Sequence, residues 1–254
     1  MLHLLNHSVL NHKEKPSTGN LRILFLGDSI TADGRYIGLV REGLSRHRPE
    51  LAVELLACGV PSETVSGLSE AAHPFPRPCV HDRLAGELAA ASPDVAVACY
   101  GMNDGIYHPF SEARFAAYQS GMKRLSALIR EAGAAAVLLT PPPFHAASMD
   151  GPLQPAEAAD FSYLAPYRDY DRVLERYADW LISGGCPADG VIDIRTPLLE
   201  HIRHERLLHD SYRYGDGIHP DLSGHKIMAQ VLLRELFHEE PDALLEQPCS
   251  QNPD

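Results

Sequence analysis

Short apolar runs alternate with longer amphipathic segments along most of this chain. Five of the runs are nearly continuous in apolar character and only four or five residues long. They cover residues 23–26, 53–57, 95–99, 135–139 and 191–194. Such runs are typical of strands that are covered on both faces, as in a parallel sheet. The pattern therefore predicts five buried strands.

Between these runs, apolar residues recur at the three- and four-residue steps of a helix. One such segment follows Ser111, a candidate N-cap, a second extends from Tyr167 to Leu181, and a third follows Asp221, another candidate N-cap. Alternation of strands and helices over five strands predicts a doubly wound α/β fold, a three-layer sandwich.

Two connections, residues 69–78 and 141–165, are longer than a simple link between elements requires. Because long loops in compact domains are often functional, both are expected near a ligand site. No internal repeat or shift in composition marks a second domain. We therefore expect one domain over residues 21–238, with a flexible or loosely docked N-terminal tail (1–20) and a C-terminal tail (239–254).

Ligands of open α/β sheets bind beyond the carboxyl ends of the strands, so candidate chemistry is expected just after each run. Three polar segments stand there, and a fourth precedes the last helix: Gly27-Asp28-Ser29, Gly59, Gly101-Met102-Asn103-Asp104 and Asp216-Gly217-Ile218-His219-Pro220. The spacing of three lets Asp216 fold back onto one imidazole nitrogen of His219, which is how a carboxylate orients a catalytic base. Each of the other segments alone is also typical of an ordinary turn, so the prediction of a functional site depends on their joint occurrence.

These four segments resemble, in the same order, the sequence blocks of the SGNH hydrolases, the GDSL-type esterase superfamily. The resemblance extends over residues 21–237 and implies a flavodoxin-like sandwich with a five-stranded parallel sheet. The roles it implies are the nucleophile for Ser29, the base for His219, the orienting carboxylate for Asp216, and an oxyanion hole made by the N–H groups of Ser29 and Gly59 and the side chain of Asn103. One position departs from the family pattern, because Cys58 stands where the family often has asparagine.

The resulting hypothesis is a serine esterase, without metal or organic cofactor, that hydrolyses small or carbohydrate-linked esters, with O-acetyl sugars favoured. Five residues of the expected pocket are candidate substrate contacts, namely Asp28, Arg77, Tyr107, His108 and His145. A lysophospholipase, a thioesterase or an acyltransferase of the same family remains an alternative. A non-catalytic carbohydrate-binding protein on the same scaffold is a further alternative, although it has no use for an oriented base.

Charge and composition narrow the partners. The 254 residues include 34 acidic and 22 basic side chains, for a net charge of −12. That balance disfavours nucleic acid and anionic membrane surfaces, since both require basic density. The glycine motifs of dinucleotide-binding and P-loop proteins are missing from the sequence. A small-molecule or carbohydrate ester is therefore the expected partner, and the sequence carries no indication of oligomeric state.

Histidine and cysteine are used without the spacing of a metal site. The 14 histidines include no His-Glu-x-x-His motif, and the five cysteines include no Cys-x-x-Cys pair. An odd number of cysteines is typical of reduced thiols, and the first twenty residues make a poor signal peptide. Both observations favour a cytoplasmic location.

Overall fold

Five parallel strands form a single sheet in the order β2-β1-β3-β4-β5. The computed structural model describes residues 20–239. The strands are β1 (Leu21–Gly27), β2 (Val53–Gly59), β3 (Val95–Cys99), β4 (Ala135–Leu139) and β5 (Gly190–Ile192). The predicted five-stranded parallel sheet is confirmed. The predicted tails lie almost wholly outside the described residues.

Helices cover both faces of this sheet, as the alternating pattern predicts. In chain order they are α1 (Ser29–Asp33), α2 (Arg35–His47), α3 (Leu84–Ala91), α4 (Glu112–Glu131), α5 (Tyr170–Ile182), α6 (Arg195–Leu208) and α7 (Leu222–Phe237). Two of the predicted N-caps are confirmed. The Ser111 side chain accepts from the Arg114 N–H at the start of α4, and Asp221 accepts from the Gly224 N–H at the start of α7.

Alternate residues of each strand enter two separate cores. Leu24 and Leu26 of β1 pack in a cluster with residues of α3, α4 and α5, whereas Ile23 and Phe25 pack with residues of α2, α6 and α7. This is why the strands read as continuous apolar runs rather than as alternating ones. Burial of one such side chain contributes about 1.5–3 kcal/mol to stability.

Strands β1 and β2 extend beyond their predicted runs, whereas β5 ends before residue 194 and α5 begins after residue 167. The last strand ends at Ile192 because side chains, rather than a neighbouring strand, accept the backbone N–H groups that follow it. The Thr140 hydroxyl accepts from the Ile194 N–H, and Asp193 accepts from the Arg195 N–H, which starts α6 instead. Helix α5 begins at Tyr170, since the N–H of Tyr167 is bonded to the carbonyl of Tyr107 in a preceding turn.

The strand order places a topological switch point between β1 and β3. From these two neighbours the chain continues toward opposite edges of the sheet, so their following loops diverge and leave a crevice at the carboxyl ends. The segment after β1 carries Ser29, and the segment after β3 carries Asn103. The fold therefore places two of the four sequence blocks at one crevice.

Candidate active site

Ser29 lies in a tight turn directly after β1. Asp28 is the N-cap of α1, and its Oδ1 accepts the Ile30 N–H at 3.0 Å. This bond starts the helix immediately after the strand and makes Ser29 its first residue. An N–H in the first turn of a helix has no partner within the helix, so that of Ser29 is left for another acceptor.

His219 connects Ser29 to Asp216. Its Nε2 lies 2.8 Å from the Ser29 hydroxyl oxygen, and its Nδ1 lies 2.8 Å from Asp216 Oδ2. An ionised carboxylate only accepts hydrogen bonds, so the ring proton belongs on Nδ1 and Nε2 is free to accept the serine proton. Two backbone N–H groups, those of Ile218 and His219, donate to Asp216 Oδ1 at 2.9 and 2.7 Å. These bonds hold the carboxylate in place.

The hydrogen bond between Asp216 and His219 stabilises the ionised form of each side chain. Burial alone opposes ionisation of Asp216, but hydrogen bonds from the His219 ring and from the backbone outweigh it and lower the pKa of Asp216 to about 2. The same side-chain hydrogen bond raises the pKa of His219 above its usual 6.5, against a smaller effect of burial. His219 is thus a stronger base than a free imidazole. Its side chain remains 42% exposed, so water reaches it.

Residues 145–150 of the long loop 141–165 hold the segment that carries His219. The Ser148 hydroxyl oxygen accepts the Tyr214 N–H at 2.8 Å, and the His145 N–H donates to the Gly217 carbonyl at 2.9 Å. Gly217 has a φ of +92°, and a Cβ there would lie 2.7 Å from the His145 carbonyl oxygen. Only glycine fits between the two segments. This part of the long loop therefore supports the segment that carries Asp216 and His219.

Gly59 ends β2 directly opposite Gly27 at the end of β1. A Cβ at position 59 would overlap the backbone of α1 at Thr31 and Ala32, so only glycine permits this approach. The close contact brings the loop after β2 against the helix that begins with Ser29. Cys58, the departure from the family pattern, donates its thiol to Glu87 Oε2 at 3.0 Å.

The Asn103 side chain is buried beside Asp28. Its Nδ2 lies 3.3 Å from Asp28 Oδ2 and 3.3 Å from the Glu63 carbonyl oxygen. Both distances exceed the usual 2.9–3.0 Å of an N–H donor, so these two contacts are weak. The opposite end of the amide, Oδ1, accepts from Arg77 at 2.9 Å and from Tyr107 at 3.0 Å.

Buried charges surround this amide, and sequence reasoning missed them. Glu63 pairs with Arg83 at 2.6 Å, and Glu70 pairs with Arg77 at 2.6 Å. Asp104 accepts the N–H groups of Val65 and Ser66 at 2.9 and 2.8 Å, and burial raises its pKa to about 6. The partners are 7 to 39 positions apart in the chain and lie in loops without periodicity, so the sequence offers no pattern that joins them.

Burial raises the pKa of Asp28 to about 6 as well. Its two carboxylate oxygens are occupied by the Ile30 N–H and the Asn103 amide. Asp28 is only 3% exposed. The expected substrate contact from Asp28 does not fit this position, because the side chain acts inside the protein as a helix cap.

Arg77 and Tyr107 are also placed differently from the sequence-based expectation. Arg77 is 6% exposed and gives its N–H groups to Glu70, to Asn103 and to the Ser62 carbonyl. Tyr107 is 1% exposed, and its ring lies under the Arg77 guanidinium at 5.5 Å. Both side chains are buried with their polar atoms bonded to protein groups, an arrangement that does not fit the predicted direct substrate contact.

The two histidines expected at the substrate mouth differ in their surroundings. The His145 Nδ1 is bonded to the Ser148 hydroxyl at 2.8 Å, and its Nε2 is buried without a partner among residues 20–239. Its place behind the Asp216 segment does not fit a substrate contact. His108 is half-buried, with Nδ1 2.6 Å from the Ile106 carbonyl oxygen and its ring 4.9 Å from that of Phe161. For His108, a substrate contact stays a prediction.

Aromatic side chains of the two long loops meet each other. His73 of loop 69–78 lies 4.6 Å from Phe75 and 5.6 Å from Tyr163 of loop 141–165, measured between ring centroids. Phe75 is 53% exposed. Loop 69–78 also carries Arg77, which is bonded to Asn103, so the same loop contacts both the amide and the second long loop.

Within the described part of the chain, no group of three or more histidine, cysteine, aspartate or glutamate side chains is arranged to hold a metal ion. Residues 20–239 also include no helix long and apolar enough to cross a membrane. Cys58, Cys79, Cys99 and Cys186 are free thiols, and Cys249 lies outside the described residues.

A doubly wound sheet with a serine, a histidine and an aspartate bonded in series at its carboxyl edge has the arrangement of a serine hydrolase. The family comparison agrees. Residues 25–227 match the model of the GDSL-like lipase/acylhydrolase family. The chain belongs to this family, and it is a serine-type carboxylic ester hydrolase. No curated protein sequence matches it significantly.

Solved structures share the fold. An acetylxylan esterase from Geobacillus stearothermophilus has a TM-score of 0.57 at 22% identity, over 87% of this chain and 96% of that chain. A gut microbial diltiazem-metabolizing enzyme has a TM-score of 0.62 at 18% identity, over 87% of this chain and 47% of that chain. Catalytic mutants of the acetylxylan esterase replace a serine, an aspartate or a histidine by alanine, and the latter two are three positions apart.

Proposed function

We propose that the protein hydrolyses short-chain esters carried on carbohydrates, O-acetyl sugars in particular, through an acyl-enzyme formed on Ser29. The observation that carries this proposal is the series of two 2.8 Å contacts from the Ser29 hydroxyl to His219 and from His219 to Asp216. A hydroxyl, an imidazole and a carboxylate in that order are what covalent ester hydrolysis needs.

The first half of the reaction forms the acyl-enzyme. His219 Nε2 takes the hydroxyl proton as Ser29 Oγ bonds to the ester carbonyl carbon, and Asp216 stabilises the imidazolium that results. The carbonyl oxygen becomes an oxyanion, for which the donors are the N–H groups of Ser29 and Gly59 and the Nδ2 of Asn103. Collapse of the intermediate breaks the bond to the alcohol oxygen, which leaves with the proton held by His219.

The second half repeats the steps with water. His219 removes a proton from water as its oxygen bonds to the acyl carbon, and the same donors stabilise the second oxyanion. Collapse releases the carboxylic acid, and the proton returns from His219 to Ser29. The side chain of His219 is 42% exposed, so water can reach the base in this step.

Three observations support a carbohydrate ester as the substrate. The Asp216–His219 spacing and the Ser29 position correspond in residue type to the catalytic mutants of the acetylxylan esterase with the same fold. Aromatic rings such as those of His73, Phe75 and Tyr163 offer the stacking faces that sugars use. The side chains bonded to Asn103 Oδ1 are a guanidinium and a tyrosine hydroxyl rather than aliphatic groups.

Acyl-chain length is the first test of the substrate. With p-nitrophenyl esters, kcat/KM is expected to be highest for acetate and to fall sharply beyond butyrate, because a site for O-acetyl sugars has to hold only a two-carbon acyl group. Acetate release from acetylated mono- and oligosaccharides should exceed release from choline or thiol esters. A rate that rises through octanoate would contradict this substrate class and favour a lysophospholipase or thioesterase.

The pH dependence is the second test. Protonated His219 cannot act as a base, so kcat/KM should fall as the pH drops through the pKa of His219, which its bond to Asp216 raises above 6.5. Asp216→Asn removes that cause, and the midpoint of the residual activity should move to lower pH. Asp210→Asn, the same change at an exposed site, is the control and should leave the midpoint in place. A profile that is flat between pH 5 and 8 would refute the role of His219.

A further inference from the structure

We propose that Tyr107 and Arg77 are positioning residues of the oxyanion hole, which fix the side-chain amide of Asn103 so that its NH₂ group faces the acyl oxygen. This inference rests on the proposed role of Asn103 as an oxyanion donor. It assigns a function to two buried side chains that do not touch the substrate, and it explains why each lies where it does.

The partners of the amide determine which way it points. Asn103 Oδ1 receives one hydrogen bond from Arg77 Nη1 at 2.9 Å and one from the Tyr107 hydroxyl at 3.0 Å. A guanidinium donates and never accepts, so the flipped amide would place its NH₂ against another N–H. Both lone pairs of Oδ1 are therefore occupied on one side, and Nδ2 is directed to the other side, toward Asp28 and the crevice.

The NH₂ group that results is fixed in direction but only weakly bonded. Its contacts with Asp28 Oδ2 and with the Glu63 carbonyl are each 3.3 Å long. A donor that is held in place by its other end, without a strong acceptor of its own, is prepared for a negative charge that appears only during the reaction. This is the preorganisation by which oxyanion donors stabilise a transition state.

Arg77 is itself held rigidly. Its Nε and Nη2 atoms donate to the two oxygens of Glu70 at 2.6 and 2.7 Å, and both side chains are 1% exposed. Replacing such a buried ion pair by apolar side chains is often neutral or stabilising, so stability alone is a weak reason for its presence. Because the guanidinium is planar, two of its N–H groups can bind Glu70 while Nη1 points at Asn103. A lysine ammonium is more flexible and would not hold both partners in this geometry.

Tyr107 occupies a backbone conformation that side chains other than glycine rarely adopt. Its φ is +59°, and the preceding Ile106 also has a positive φ of +46°. The ring stacks on Tyr170 with centroids 4.9 Å apart, and the Tyr107 carbonyl accepts the Tyr167 N–H at 2.9 Å. Strain of this kind concentrates at functional sites, where the surroundings hold it in place. Here it turns the hydroxyl back toward Asn103, four residues earlier.

The experiment is a double-mutant cycle between Tyr107→Phe and Asn103→Ala, measured as kcat and KM with p-nitrophenyl acetate. Tyr107→Phe keeps the ring and removes one hydrogen bond to the amide, and it should lower kcat about 3- to 10-fold with little change in KM. In the Asn103→Ala background the same change should have almost no effect, because the group it positions is gone.

Tyr170→Phe is the matched control. The Tyr170 hydroxyl is equally buried and donates to the Met102 carbonyl at 2.8 Å, so its loss tests the rigidity of the same loop without touching the amide. Any fall in kcat that it causes should be the same with and without Asn103. Arg77→Lys is the second positioning variant. It retains a cation for Glu70 but loses the fork, and its effect on kcat should also vanish in Asn103→Ala.

The possible results distinguish the positioning role of Tyr107 from the oxyanion role of Asn103. Equal effects of Tyr107→Phe in both backgrounds, or no effect on kcat in the natural protein, would overturn the positioning role while leaving the oxyanion hole intact. A normal kcat in Asn103→Ala alone would refute the oxyanion role of Asn103, and the positioning role with it.

Discussion

Ser29→Ala is expected to lower kcat by a factor on the order of 10⁶, as removal of the nucleophile does in a serine protease. In the proposed reaction Oγ is the atom that bonds to the acyl carbon, and alanine offers no substitute. The hydroxyl lies 2.8 Å from His219 Nε2, in a site open to solvent rather than in either core. Its removal should therefore leave the fold intact. The measurements are the rate with p-nitrophenyl acetate and labelling by a fluorophosphonate probe.

A matched control separates chemistry from folding. Ser45→Ala makes the same change on the exposed side of α2, where the hydroxyl donates to the Arg41 carbonyl, and should retain full activity and labelling. Circular dichroism and thermal unfolding should be the same for both variants and the natural protein. A folded Ser29→Ala protein that still turned over at the natural rate would eliminate Ser29 as the nucleophile.

Asn103→Ala is expected to lower kcat about 10²- to 10³-fold with a much smaller effect on KM, the loss known for a single oxyanion donor. In the proposed reaction the amide interacts with charge that develops on the carbonyl oxygen, so its contribution should appear in the transition state rather than in substrate binding. Because alanine leaves Arg77 and Tyr107 without their acceptor, a stability loss of about 1–3 kcal/mol should accompany it.

Asn103→Asp distinguishes the lost donor from the lost stability. An aspartate keeps an acceptor for Arg77 and Tyr107, yet it has no N–H and brings a second carboxylate beside Asp28. The kcat of Asn103→Asp should fall at least as far as that of Asn103→Ala, although the acceptor for Arg77 and Tyr107 is preserved. If either variant raised KM alone and left kcat unchanged, Asn103 would be a binding residue and not an oxyanion donor.

The sheet was predictable because its signal is local. Strands buried on both faces must be apolar throughout, so five short runs marked them, and the segments after them marked the crevice. The link between Asp216 and His219 was equally accessible, since a spacing of three in one turn brings the two side chains together. In each case the residues that meet are close in sequence or follow from the strand order.

The surroundings of Asn103 were not predictable in the same way. Arg77 lies 26 positions before the amide that it contacts, in a proline-rich loop with no periodicity. From the sequence, an arginine in a pocket-side loop is expected to meet substrate. The structure buries it instead, because Glu70 in the same loop neutralises it and the fold covers both. Charge pairing across irregular loops is a tertiary property that residue patterns do not encode.

The tight approach of β2 to α1 limits how this enzyme can be re-engineered. Since a Cβ at position 59 would meet the α1 backbone rather than the movable end of a side chain, a library varied at this position should return only inactive or misfolded clones. Variants meant to change the ester-binding crevice must therefore keep Gly59 and vary other positions.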